Sequence, residues 1–136
     1  MTSSVVVFDT SVPIDQLRTN RHAERFRELH GIVRNSAVVL SGLAGGADEE
    51  SEKRFVPELA DNYAALAPTT SDWLEAGTML SKIRKDKGFL ADKLRDLHFD
   101  ALIALTARRY GATVITTNRS DFELLKLYKG FKLEAW

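Results

Sequence analysis

The chain has no cysteine, which rules out disulfides and every thiolate metal site. Its 3 histidines, His22, His30 and His98, have no ligand spacing among themselves and read as surface or partly buried residues rather than zinc ligands. Charge of one sign is also missing. Lys plus Arg and Asp plus Glu stand at 19 each, so there is no global pull toward nucleic acid, although a local basic groove would be enough to bind it. No stretch approaches the roughly 20 apolar residues of a membrane span. The first apolar run, Val5–Phe8, is too short for a signal peptide and has no basic start. Glycines Gly42, Gly45 and Gly46 lack a following Lys-Ser/Thr, so they form no phosphate loop. Repeats, linkers and low-complexity tracts are absent as well.

What remains is a chain of 136 residues, 44% hydrophobic, which suits one domain over residues 1–136 with a real core. Residues 4–8 predict a buried strand. Asp9-Thr10-Ser11 offers helix-capping side chains, with Pro13 tolerated in a first turn. Asn20 is placed to cap a second helix that runs to His30 and stops at Gly31. Ser36–Leu40 reads as the second strand. Residues 43–66 read as one helix broken or kinked at Pro57, followed by a short strand over 66–68.

Thr70, Ser71 and Asp72 open a helix with an apolar stripe of Trp73, Ala76, Leu80 and Ile83, ending near Gly88. A helix is expected from about Asp100 to Tyr110, stopping at Gly111. A strand over 113–117, a helix over 121–128 and a strand over 131–133 complete the chain. Strands alternating with helices predict an α/β fold with a mainly parallel sheet covered on both faces. Trp73 and Trp136 read as core or interface aromatics, not base-stacking platforms. The basic cluster Lys82, Arg84, Lys85 and Lys87 reads as a solvated helix end, or as part of a rim contacting phosphate.

Three acids stand beside apolar elements, where a carboxylate is costly unless paired, capping or holding a metal. Asp9 closes the first strand, at the sheet edge where open α/β sheets bind ligands. It is also a natural helix cap. Asp100 precedes the apolar run Ala101–Leu105 and is the expected cap of the helix ending at Gly111; Asp96, one turn earlier, competes with it for a functional role. Asp121 lies in Ser120-Asp121-Phe122-Glu123, a capping-box pattern, just beyond a strand. Convergence of the three at one sheet edge would make a divalent metal site.

Together these segments resemble the PIN-domain ribonucleases, and among them the VapC-type toxins of toxin–antitoxin pairs. The resemblance covers nearly the whole chain. It is carried by Val5-Val6-Val7-Phe8-Asp9-Thr10-Ser11-Val12, by Trp73-Leu74-Glu75-Ala76-Gly77 with Gly88, by Phe99-Asp100-Ala101-Leu102-Ile103-Ala104, and by Thr116-Thr117-Asn118-Arg119-Ser120-Asp121-Phe122. It implies a three-layer α/β/α fold with a central twisted sheet. It also implies Mg²⁺- or Mn²⁺-dependent hydrolysis of RNA, with Asp9, Asp100 and Asp121 as catalytic and metal-holding acids. Asn118 and Thr116 are expected to bond the phosphate or a ligand carboxylate. A cytoplasmic homodimer held in check by a small antitoxin is the implied setting.

One position departs from the family. The family carries a second acid, usually Glu, in a Ser-Glu-Leu context, whereas this chain reads Ser41-Gly42-Leu43-Ala44-Gly45-Gly46. Asp48, Glu49, Glu50 and Glu52 lie at least six residues on, more than one helical turn, and are not expected to substitute. The departure implies a weakened or inactive member, or a change acquired in cloning a toxic protein, since one base separates Glu from Gly codons. A non-catalytic PIN-fold module binding RNA or an antitoxin is the competing reading. A haloacid-dehalogenase-like phosphatase would need an acid two residues after Asp9, where Ser11 stands.

Overall fold

The computed structural model describes residues 4–136. Along the chain it places β1 (Val5–Phe8), α1 (Ser11–Thr19), α2 (Ala23–Glu28), β2 (Ile32–Val33), β3 (Asn35–Ser36), α3 (Ala37–Gly46) and α4 (Glu50–Asn62). Next come β4 (Ala65–Leu66), α5 (Thr70–Lys87), α6 (Ala91–Arg109), β5 (Thr113–Thr116), α7 (Arg119–Tyr128) and β6 (Lys132–Ala135). Four strands form a parallel sheet in the order β2-β1-β5-β6, and β3 pairs with β4 in a separate parallel ribbon.

Strand alternation divides the core between the two faces of this sheet. Val7 and Val114 pack with Val39, Ala76, Ile83, Leu97, Leu102, Phe122 and Leu125, under helices α3, α5, α6 and α7. Val6 and Ile115 face the other way, onto Val12, Phe26, Leu29 and Trp136. The α/β/α layering follows, as expected. Residues 101–107 of α6 are buried all round, which marks that segment as the central core helix.

Several boundaries differ from expectation. Ser36 does not begin a strand over 36–40; its hydroxyl accepts the Val39 amide at 3.3 Å and caps α3. The helix expected over 43–66 is two helices, and the break lies before Glu49, whose amide is taken by the Glu52 carboxylate at 3.4 Å. Pro57 lies within α4, which continues to Asn62. Asn20 ends α1 in a left-handed conformation (φ 56°) instead of starting α2, a backbone state Asn tolerates well. Gly88 (φ 66°) ends α5 and Gly111 (φ 66°) follows α6, as their spacing predicts. The largest shift is at α6, which starts at Ala91 and not at Asp100.

Candidate active site

The sheet sets the location. From β1 the chain goes on to pair β2 on one side, whereas β5 leads to β6 on the other. The carboxyl ends of β1 and β5 therefore flank the point where the winding reverses, the usual ligand crevice of a parallel α/β sheet. A cavity of about 710 Å³ opens there. Asp9, Asp96, Asp100 and Asp121 all line it, together with Gly42, Asn118, Trp73 and Phe99.

Each acid is held differently. Asp9 is only 4% exposed, and its carboxylate accepts the Ser11 hydroxyl at 2.5 Å. Ser11 in turn accepts the Thr117 amide at 3.1 Å, tying the end of β1 to the end of β5. Burial raises the Asp9 pKa, while hydrogen bonds from Ser11, Thr116 and the Ser11 and Val12 amides act in the opposite direction. Thr116 and Asn118 thus hold two of the cavity's carboxylates. Thr116 bonds Asp9 and accepts the Asn118 amide at 2.8 Å, while the Asn118 side chain donates to Asp121 at 2.9 Å.

Asp100 lies in the middle of α6 and caps nothing. It stands where the helix passes from solvent into the core, between exposed Asp96 and the buried run from Ala101. Desolvation, followed by the charges of Asp9, Asp121 and Asp96, pushes its pKa up to about 7, and Lys93 opposes the shift. Asp96 is on the same face one turn earlier, so it shares the cavity with Asp100 and does not replace it.

Asp121 lies in the first turn of α7, but the expected capping box does not form. Asn118 is the N-cap, and Glu123 pairs with Arg119 at 2.8 Å. Asp121 takes the Lys93 ammonium at 2.6 Å instead. Trp73, expected in the core stripe of α5, is 50% exposed at the cavity wall, and Met79 fills the stripe in its place. His22 is buried beside Trp136 rather than at the surface, with ring centroids 5.6 Å apart. Lys93 has a role that no sequence signal pointed to, because α6 was expected to start after it, and Ser11, expected only to cap a helix, holds Asp9.

The donor set is all oxygen, which suits a hard divalent ion. Mutually repelling carboxylates, one of them with a strongly raised pKa, are what a cation would relieve. Among the described residues no three His, Asp or Glu side chains close into a ready-made cage. The acids would therefore hold such an ion with water completing its shell, the usual habit of Mg²⁺. None of Asp48, Glu49, Glu50 and Glu52 lines the cavity, and Glu52 pairs with Arg18 at 3.1 Å. A Cβ added at Gly42 would sit 3.6 Å from the Thr10 hydroxyl, ordinary contact with room beyond it.

Comparison with known proteins agrees with this fold. The family model for the PIN domain matches residues 6–126. Among solved structures, VapBC2 of Rickettsia felis, bound to a DNA fragment from its promoter, aligns at 15% identity and TM-score 0.73, covering 97% of this chain and 98% of that one. VapBC-5 of Mycobacterium tuberculosis aligns at 22% identity and TM-score 0.60, covering 97% of each chain. FitAcB of Neisseria gonorrhoeae aligns at 18% identity and TM-score 0.60, covering 94% of this chain and 95% of that one. Among curated proteins no sequence match is found.

Proposed function

The chain belongs to the PIN domain family, and on that basis we propose that it is a Mg²⁺- or Mn²⁺-dependent ribonuclease, one domain over 1–136, weakened by Gly42. The observation that carries this reading is the convergence of Asp9, Asp100 and Asp121 on one cavity at the sheet's switch point. A bound divalent ion would supply Lewis-acid polarisation of the phosphate and an activated water. The protein's own part is orientation. Ser11 and Thr116 aim Asp9, and Asn118 aims Asp121. Asp100 must give up a proton near neutral pH before its carboxylate can serve.

The solved structures it resembles include toxin–antitoxin complexes. They support a toxin role for this chain, with a small antitoxin as partner, a homodimer as the assembly and the cytoplasm as its place. No helix among the described residues is long and apolar enough to cross a membrane. The test is cleavage of single-stranded RNA with Mn²⁺: slow, metal-dependent cutting that chelation stops and Asp9→Asn abolishes supports the enzyme. A folded preparation that cuts nothing and binds no Mn²⁺ at millimolar concentration supports the second reading, a non-catalytic binding module. Gly42 and the Lys93 ammonium on Asp121 favour that module.

A further inference from the structure

We infer that Trp73, which the sequence alone assigned to a core or an interface, forms with Phe99 a stacking platform for an unpaired nucleobase beside the acidic cavity, making both substrate-positioning residues; this rests on the ribonuclease reading above. Both rings line the cavity that holds the acids, and both stand half out of the protein, at 50% and 52% exposure. Phe99 precedes Asp100 on α6, and Trp73 lies in the first turn of α5, so two helices bring an aromatic side chain to one mouth. The apolar wall continues through Pro68, Val38 and Ile103.

Electrostatics gives the platform a purpose. The chain carries equal numbers of basic and acidic groups, and four carboxylates line this cavity. Without a bound cation such a mouth repels phosphate, so uncharged contact with the bases adds to the hold on a polynucleotide. Aromatic faces provide it, because stacking on an unpaired base is strong and tolerant of sequence. The Trp73 ring is also backed from within the protein. His98 packs against it edge-on, with centroids 6.1 Å apart at 83°, and its Nε2 is buried without a hydrogen-bond partner. A backed ring loses less freedom when a base settles on it.

The experiment is a fluorescence titration with a short oligouridylate and with its abasic counterpart of the same length, in Ca²⁺ to keep the acids occupied. Trp136, the second tryptophan, lies in the aromatic cluster with Phe8 and Phe26, so quenching on binding should report Trp73 and vanish in Trp73→Phe. Trp73→Ala and Phe99→Ala should each weaken oligouridylate binding between about fivefold and one-hundred-fold. The abasic strand should bind at the variants' level, and Trp73→Phe should retain most affinity. Unchanged melting temperature and Mn²⁺ affinity in Trp73→Ala would exclude a merely structural role. Equal binding of the two strands by the unaltered protein overturns the platform and leaves the ribonuclease reading intact. Binding of neither overturns the platform, and the cleavage assay decides the ribonuclease reading separately. A change of oligomeric state in the alanine variants assigns the rings to a protein interface and overturns the platform.

Discussion

Position 42 can be dissected with two substitutions. Alanine at Gly42 adds a Cβ in ordinary contact with Thr10 and no charge. Within α3 it should stabilise the chain by up to about 1 kcal/mol, the usual helix penalty of glycine. For a chain of 136 residues that is a rise in melting temperature of about 3–4 °C. Glutamate has nearly the same helix propensity but brings another carboxylate to a cavity already lined by Asp9, Asp100 and Asp121. Unit like charges about 4 Å apart repel by roughly 4 kcal/mol at an effective dielectric of about 20, and by less once solvent screens them. Metal-free Gly42→Glu should therefore melt below Gly42→Ala, and Mn²⁺ should reverse the order. If the added acid tightens Mn²⁺ binding tenfold, saturating metal raises its melting temperature by about 5 °C more than it raises that of Gly42→Ala. The assay is a melt of all three proteins with and without Mn²⁺, beside cleavage of a fluorogenic RNA. An equal Mn²⁺ shift in the two variants, with no gain in cleavage, would refute the missing-acid account.

Three further outcomes follow from the same geometry. Asp100 keeps its proton in the fold up to about pH 7 against an ordinary value of 3.8, so its contribution to stability is full below about pH 4 and is lost as pH rises through 7. Denaturant melts from pH 5 to 8 should show this decline in the unaltered chain and not in Asp100→Asn; parallel curves would sink the assignment. Lys93→Gln removes the ammonium from Asp121 and should tighten Mn²⁺ binding by up to about fivefold in calorimetry, since a half-exposed ion pair is worth about 1 kcal/mol at most. Asp72 caps α5 by accepting the Thr69 amide at 2.9 Å and binds Arg109 through two bonds of 2.8 and 3.1 Å, so Asp72→Ala should cost about 2–3 kcal/mol in urea unfolding.

The site was more legible in the sequence than the elements carrying it. Asp9 and the 116–121 segment could be placed because four-residue apolar strands precede them and the chain must turn there. Asp100 was picked out for its apolar surroundings, which the buried run after it bears out; its competing reading as a helix cap failed because 91–99 is mostly polar and hides the first half of α6. Once Leu94 and Leu97 are placed beneath that half, the helical spacing is visible. The break between α3 and α4 was missed because glycine-rich 42–46 reads as weak helix whichever helix it belongs to. The exposure of Trp73 could not be read from spacing. It falls on the period of Ala76 and Ile83, but at the first turn of α5, beyond the reach of the core.

The metal-free site balances its charge with what the chain itself provides. Four carboxylates line one cavity, and two positive charges answer them: a proton held on Asp100 at about neutral pH and the ammonium of Lys93 on Asp121. Neither is part of the sheet scaffold, which aims Asp9 through Ser11 and Thr116 whatever the cavity contains. A divalent cation carries the same charge as the pair it would displace. Loading the site would then be an exchange that leaves net charge almost unchanged, with the proton and the ammonium set free. The freed ammonium would stand beside Asp121, next to a cavity otherwise hostile to phosphate. Lys93 can therefore oppose metal in the empty protein and favour a polyanion in the loaded one, without any change of fold.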